Sequence, residues 1–300
     1  MRHAEDKLPD SIYKSPEGGA EILALYDEAL AALGPGYRSV TVGTRYGDTH
    51  VLAVGPEDAQ PALFLAGGNF FNPTCLRWFL RLTERYLVYS PDLIGQPGKS
   101  AQTRLSPKGG DHALWAEDLL DGLGLQRVPV VGLSYGAGVA IRLMGYAPQR
   151  VSRAALVSPA GVASGRISRI LVEVALPMIG YRLRPTGGRL LRAARPILTD
   201  LEDPVVLQLG AIYRNVRLDA GLPRMATEEE LQSFEGPVAV FASEEDVFFP
   251  AGSVLPRARE IFPNLVRAEC LEGCRHVPSA STLIVVNGYI KAFFAGPDRG

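Results

Sequence analysis

Ser134 is the residue whose setting points most directly to chemistry. It is the central serine of Gly132-Leu133-Ser134-Tyr135-Gly136, a G-x-S-x-G pattern between a β-branched run at residues 128–131 and a helical apolar pattern from residue 137. A serine at a tight strand-to-helix turn presents its hydroxyl above the sheet, and flanking glycines allow the chain to pack closely there. We therefore predict that Ser134 is a nucleophile. The alternative is that it only caps the helix that follows.

A serine hydroxyl needs a general base, and the chain contains four histidines. His276 lies in a loop between the last predicted strand and the last helix, at the sheet edge where Ser134 is expected. The other three suit the role less well. His3 is in a terminal tail, His50 begins a strand and is expected at the surface, and His112 is expected to be an exposed residue of a first helical turn. We therefore predict His276 as the base.

The base needs an acid that fixes its orientation, and three acids follow a predicted strand at residues 238–241. Asp246 lies deepest in this loop and precedes three apolar residues that would bury it. Glu244 and Glu245 are expected to be solvated. We predict Asp246 as the orienting acid, which gives the chain order Ser, Asp, His.

An oxyanion formed in acyl transfer needs two backbone N–H donors. Tyr135, directly after the nucleophile, is predicted to supply one, and Gly68, in a Gly-rich loop after an early strand, the other. Asn69 is the rival for the second donor, and a plain turn is the alternative for the loop. Asn69, Phe70 and Phe248 are also predicted to contact substrate, although the two aromatic rings could instead belong to the core.

The elements that must position these residues alternate between strand and helix. This rhythm predicts an α/β fold with a mostly parallel central sheet and helices on both faces. Strands are predicted at residues 37–44, 49–54, 62–65, 86–89, 128–131, 154–157, 238–241 and 265–271. Helices are predicted from Pro16, with Leu23, Tyr26, Leu30 and Leu33 on one face, and at residues 77–85.

The rhythm breaks between residues 161 and 234, which we predict to be an inserted helical cap over the sheet edge that binds ligands. Residues 1–36 form an N-terminal extension and helix, and residues 37–160 and 235–300 form the core. The cap is rich in arginine and in apolar residues. Its basic residues could be an ordinary solvated face, or they could attract an acidic substrate or an anionic surface. The arginines are Arg166, Arg169, Arg182, Arg184, Arg189, Arg192 and Arg195.

Composition limits the classes of protein that remain. The 300 residues are 47% hydrophobic and 21% charged with a net charge of −1, which suits a large core and argues against nucleic acid as a partner. Neither a signal peptide nor an apolar run that could anchor the chain in a membrane is apparent. Three cysteines predict a reducing, cytoplasmic setting. The spacings of zinc motifs and of the dinucleotide fingerprint are absent, so neither a metal nor a cofactor is expected. A monomer and a homodimer both remain open.

The combination of these motifs resembles the α/β-hydrolase-fold serine hydrolases over nearly the whole chain. Within that fold the sequence resembles bacterial carboxylesterases of the naproxen-esterase type, which share the Asp-x-Ile-Gly loop found here at residues 92–95. This resemblance implies the Ser134, Asp246 and His276 triad and cleavage of a small, apolar carboxylic ester through an acyl-enzyme. The chain departs from the family at Ala66-Gly67. Many relatives have His-Gly there, and that histidine braces the oxyanion loop.

Other reactions use the same triad, and the sequence does not separate them. They are lactone, thioester or carbon–carbon bond hydrolysis, acyl transfer, and lyase or cyclase chemistry in a natural-product pathway. A non-catalytic receptor of the same fold fits less well, because all three triad residues are present. A serine at the elbow argues against dehalogenase and epoxide-hydrolase chemistry, which needs a carboxylate nucleophile.

Overall fold

The computed structural model describes residues 11–107, 109–219 and 221–296. His3, part of the predicted N-terminal extension and the last four residues of the predicted core lie outside these ranges. The strands are β1 (Tyr37–Thr44), β2 (Gly47–Val54), β3 (Gln60–Leu65), β4 (Tyr86–Pro91), β5 (Val128–Leu133), β6 (Val151–Val157), β7 (Val238–Ser243) and β8 (Leu265–Leu271). The helices of the α/β core are α1 (Pro16–Ala31), α2 (Asn72–Arg77), α3 (Asp111–Gly122), α4 (Tyr135–Tyr146), α10 (Ala251–Ile261) and α11 (Ala280–Phe294).

These strands form one sheet in the order β1-β2-β4-β3-β5-β6-β7-β8. β2 runs antiparallel to both β1 and β4, and the five remaining neighbour pairs are parallel. β5, β6 and β7 are buried along their whole length, as expected for strands covered by helices on both faces. The predicted α/β architecture is therefore confirmed. The carboxyl ends of β3, β5, β7 and β8 share one edge, which brings together the four loops that carry the predicted site.

Two predicted helices differ in detail from the observed ones. Ser15 caps α1 as expected, but Leu23 is 37% exposed, and Ile22, with Ala29, joins Tyr26 and Leu30 on the buried face. The prediction of a helix at residues 77–85 was wrong. A helix instead begins earlier, at α2, where a proline occupies its first turn, and a separate 3₁₀ turn follows at Leu80–Glu84.

The segment between β6 and β7 is helical, with α5 (Ile167–Ile170), α6 (Leu176–Leu183), α7 (Gly187–Ala194), α8 (Asp203–Asn215) and α9 (Glu228–Leu231). A π-helical stretch, Leu171–Ala175, joins α5 to α6, and the residues at both junctions have right-handed helical dihedrals. We call the resulting continuous helix, residues 167–183, the cap helix. The assignment of residues 161–234 to a separate cap remains a prediction about domain organisation.

Candidate active site

Ser134 lies at the sharp turn between β5 and α4 that its sequence pattern predicts. Its φ of 52° and ψ of −116° place a non-glycine residue in a sparsely populated conformation, which the surrounding packing must hold. A Cβ on Gly132 would lie 2.5 Å from the Cα of Ala137, and one on Gly136 would collide with the carbonyl oxygen of Leu65. The two glycines are therefore required by contacts with backbone, in agreement with the steric reason for predicting them.

Ser134, His276 and Asp246 form one chain of hydrogen bonds. His276 Nε2 lies 2.8 Å from Ser134 Oγ, and His276 Nδ1 lies 2.8 Å from Asp246 Oδ2. Each residue comes from a different loop, after β5, β8 and β7, so the sheet edge sets the spacing. The arrangement places an imidazole where it can accept the serine proton while a carboxylate holds its other nitrogen.

Asp246 is fully buried, and its burial explains why it and not a neighbouring acid meets the histidine. Its Oδ1 accepts the Phe248 N–H at 2.8 Å, so both carboxylate oxygens have a donor partner. Glu244 and Glu245 are exposed, as predicted. On the other side, Ser158 Oγ donates to the carbonyl oxygen of His276 at 2.9 Å and so fixes the backbone of that loop.

The backbone N–H groups near Ser134 discriminate between the two rivals for the second oxyanion donor. The Asn69 N–H donates to Gln96 Oε1 at 2.8 Å, and the Gly67 backbone lowers the pKa of the buried Cys75 thiol, although less than burial raises it. Burial raises the pKa of that thiol to about 12. Within the described residues the Gly68 N–H has no protein acceptor. This geometry favours Gly68 over Asn69. Tyr135 begins α4, so its N–H also lacks an intrahelical acceptor.

Asn69, Gln96 and Asp219 form a closed ring of hydrogen bonds that the sequence did not reveal. Asn69 Nδ2 donates to the Asp219 carbonyl oxygen at 3.0 Å, and the Asp219 N–H donates to Asn69 Oδ1 at 3.1 Å. Gln96 Nε2 donates to Asp219 Oδ2 at 3.2 Å and completes the ring. Asn69 has a φ of 55°, a left-handed conformation that asparagine tolerates better than most residues. The ring therefore holds in place the loop after β3 that carries Gly68.

His112 was predicted to be exposed, and that prediction was wrong. It is buried, and its Nε2 lies 3.0 Å from the hydroxyl of Tyr135. Burial lowers the pKa of His112, and nearby Asp219 opposes that shift. Burial and Asp219 both raise the pKa of Tyr135. A sequence signal existed, because His112 stands three and four residues before Trp115 and Ala116 on the apolar face of α3.

The remaining predicted site residues have different surroundings. Phe248 is half-buried and meets the His276 ring edge-on at 5.0 Å between centroids, beside the site. Phe70 is buried and packs edge-on against Trp78. It therefore belongs to the core, which was the alternative to the predicted substrate contact. Both amide atoms of Asn69 are engaged by Asp219, so bracing fits its geometry better than the predicted substrate contact. His50 is buried and not at the surface, because Tyr26 and Ser39 bind its ring nitrogens.

Two further properties concern metals and membranes. In residues 11–107, 109–219 and 221–296, no three His, Cys, Asp or Glu side chains converge as metal ligands would. None of the helices in these ranges has the length and apolarity needed to cross a membrane.

Comparison with known proteins agrees with the fold. The family model described as "Alpha/beta hydrolase family" matches residues 62–282. Two Bacillus subtilis (strain 168) proteins, "Uncharacterized carboxylesterase nap" and "Carboxylesterase YbfK", are 29% and 27% identical to the chain. The alignments cover 95% and 96% of this chain and 95% and 99% of those proteins.

Solved structures of other hydrolases share the fold. The naproxen esterase (carboxylesterase NP) of Bacillus subtilis matches with a TM-score of 0.80 and 27% identity, over 94% of this chain and 99% of that one. A meta-cleavage product hydrolase from Pseudomonas fluorescens IP01 matches with a TM-score of 0.69 and 18% identity, over 85% and 97%, which supports the fold alone. The resemblance predicted from the sequence is therefore confirmed: the chain belongs to the α/β hydrolase family.

Proposed function

We propose that this α/β hydrolase is a carboxylesterase that cleaves small, apolar esters through a serine acyl-enzyme. The observation that carries the proposal is the hydrogen-bonded chain from Asp246 through His276 to Ser134, with both contacts at 2.8 Å. The esterase names of relatives aligned over nearly the whole chain support the choice of ester over the other triad reactions.

Acylation begins with Ser134 Oγ attacking the ester carbonyl carbon while His276 Nε2 accepts the hydroxyl proton. The carbonyl oxygen becomes an oxyanion, which the N–H groups of Gly68 and Tyr135 stabilise. Asp246 accepts a hydrogen bond from His276 Nδ1 and stabilises the imidazolium. The tetrahedral intermediate collapses, His276 gives its proton to the leaving oxygen, and the alcohol departs.

Deacylation repeats these steps with water as the nucleophile. His276 accepts a proton from the water, whose oxygen attacks the acyl carbon of the Ser134 ester. The same N–H groups stabilise the second oxyanion. Collapse expels Ser134 Oγ, which takes the proton back from His276, and the carboxylic acid leaves.

The surroundings of the site support the choice of an apolar substrate. The inner residues of the cap helix, Ile170, Val174 and Met178, pack against the same apolar cluster as Phe248. Phe248 in turn contacts the His276 ring. An acyl or alcohol group beside His276 would therefore meet mostly hydrocarbon, which favours apolar substituents.

Hydrolysis of p-nitrophenyl esters from acetate to long acyl chains tests this proposal, with Ser134→Ala as the matched variant. We expect turnover by the wild type and its loss in the variant, together with labelling of Ser134 by a fluorophosphonate probe. Labelling without ester turnover would transfer the proposal to lactones, thioesters or carbon–carbon substrates. Equal turnover by both proteins would refute the site.

A further inference from the structure

The cap helix is apolar on two opposite faces, which is unusual for a helix at a protein surface. Its inner face consists of Ile170, Val174, Met178 and Tyr181, which are buried or packed against the core. A surface helix normally buries one such stripe and carries polar residues opposite it. Here the opposite face is apolar as well, so this face needs an explanation that core packing does not give.

The outer face consists of Val172, Leu176, Ile179 and Leu183, spaced by four, three and four residues, and we call it the outer stripe. Their exposed fractions are 61%, 60%, 45% and 81%. Single exposed apolar residues are ordinary, but a contiguous row over three helical turns marks an interaction surface. Ile167 and Leu171, nearer the start of the helix, are exposed as well.

The charge around the outer stripe is strongly positive. Residues 161–195 contain seven arginines and one acidic residue, Glu173, whereas the whole chain has a net charge of −1. Arg166 and Arg184 stand at the two ends of the cap helix, and Arg192 stands on α7, which packs against α6. All three are exposed, and within the described residues none of them makes an ion pair. The rest of the chain is therefore net negative.

From these observations we infer that the outer stripe and its arginines form a docking surface for an anionic lipid bilayer. An exposed apolar helix face flanked by arginine is the pattern of helices that lie in the interface of a membrane without crossing it. Apolar side chains enter the acyl region while arginines meet lipid phosphates, each basic residue near an anionic surface adding to the attraction. A second copy of the chain fits less well, because two equally basic surfaces would face each other.

Docking in this orientation would place the cap helix on the bilayer. The chain enters that helix from Gly165, whose N–H donates to the carbonyl oxygen of Phe248 at 2.6 Å. Phe248 contacts the His276 ring. The start of the cap helix is therefore linked to the candidate active site through Gly165 and Phe248. The inference itself concerns binding alone and does not depend on the proposed esterase activity.

Vesicle co-sedimentation tests the inference. The full chain is mixed with vesicles of phosphatidylcholine alone or of phosphatidylcholine with one third phosphatidylglycerol, and the pelleted fraction is measured at low and high salt. We expect binding to the anionic vesicles, weak binding to the neutral ones, and release by salt. Each basic residue near an anionic surface contributes about 1 kcal/mol, or about fivefold in affinity. The triple variant Arg166→Gln, Arg184→Gln, Arg192→Gln should therefore bind roughly a hundredfold more weakly.

Two matched controls separate the surface from general charge and hydrophobicity. Arg85→Gln, Arg127→Gln, Arg259→Gln makes the same charge change at exposed arginines outside residues 161–195 and should bind like the wild type. Leu176→Ser with Leu183→Ser should weaken binding by about tenfold or more, whereas Leu207→Ser with Val285→Ser, equally exposed elsewhere, should not. Unchanged melting temperatures establish that the variants fold.

Three results would overturn the inference. The first is the absence of the wild type from both vesicle pellets. The second is equal binding to neutral and anionic vesicles, which would remove the role of arginine. The third is a wild-type dimer in sedimentation velocity that Leu176→Ser with Leu183→Ser converts to monomer, without vesicle binding, which would assign the stripe to a second copy.

Discussion

Two histidine–hydroxyl pairs lie on either side of the same turn, and only one of them has the geometry of the proposed catalytic base. His276 contacts Ser134 Oγ at 2.8 Å, and His112 contacts the hydroxyl of the next residue, Tyr135, at 3.0 Å. Both histidines are buried. The difference lies behind the ring, where His276 has the Asp246 carboxylate at 2.8 Å.

Proximity to a hydroxyl does not by itself make a histidine a general base. A carboxylate fixes the tautomer of His276 and stabilises the cation that forms during turnover. Within the described residues, no carboxylate makes such a bond to His112. Burial lowers the pKa of His112 and so disfavours its cationic form. Its contact instead holds the Tyr135 ring, which packs against Gly68. A Cβ on Gly68 would lie 3.1 Å from Tyr135 Cβ.

The largest effect should separate the two histidines directly. His276→Ala should lower kcat by about 10⁴-fold or more, because the base is lost, as in other serine hydrolases. His112→Ala should lower kcat by about tenfold or less, since His112 contacts the Tyr135 hydroxyl and not Ser134. Steady-state hydrolysis of a p-nitrophenyl ester measures both. Similar losses in the two variants would contradict the distinction.

Asp246→Asn should make His276 resemble His112. The substitution keeps size and removes the charge, and we expect kcat to fall by about 10³- to 10⁴-fold with KM changed little, as for the corresponding acid of serine proteases. Glu244→Gln is the matched control in the same loop, because that acid is exposed. A loss of less than tenfold for Asp246→Asn would mean that the carboxylate is not the element that distinguishes the two pairs.

The ring of Asn69, Gln96 and Asp219 allows a smaller effect on the same site. Asn69→Gly keeps a residue that tolerates a φ of 55° and removes two hydrogen bonds to Asp219. Each neutral bond contributes about 1 kcal/mol, so the loss of both should lower kcat by up to about thirtyfold while KM stays within about twofold. A rise in KM at constant kcat would instead indicate the substrate contact predicted for Asn69.

The smallest effect concerns stability and pH. Burial lowers the pKa of His112 below its ordinary 6.5, so at pH values just below 6.5 the unfolded chain binds a proton that the folded chain does not. The contribution of His112 to the free energy of unfolding is therefore complete above pH 6.5 and is lost as pH falls below that value. Urea unfolding between pH 7.5 and 5.5 should give a shallower decline for His112→Gln than for wild type. An equal slope in both proteins would exclude His112 as the cause.

The sequence predicted the fold and the order of the site well, for a physical reason. The elbow, the loop after β7 and the loop after β8 all depend on local signals: glycines that backbone contacts require, apolar runs that form buried strands, and an acid followed by residues that bury it. The eight strands and the convergence of Ser134, Asp246 and His276 followed from these signals and from the parallel sheet.

The parts that escaped prediction depend on contacts between distant segments. Asp219 lies 150 residues from Asn69, and no local sequence pattern near either residue indicates that they pair. His112 was misjudged because its type suggested exposure, although its position on the apolar face of α3 indicated burial. The start of α2 was missed because the periodic apolar pattern is weak over six residues.

The ring also has a consequence for exchanging parts between hydrolases. Residue 219 belongs to the segment between β6 and β7, yet its backbone carbonyl and N–H hold Asn69 of the oxyanion loop. A chimera that replaced all of residues 161–234 would discard these two hydrogen bonds together with the helices α5 to α9. An exchange that ends at Val216, after α8, and leaves the stretch from Arg217 onward with the recipient would keep both hydrogen bonds to Asn69.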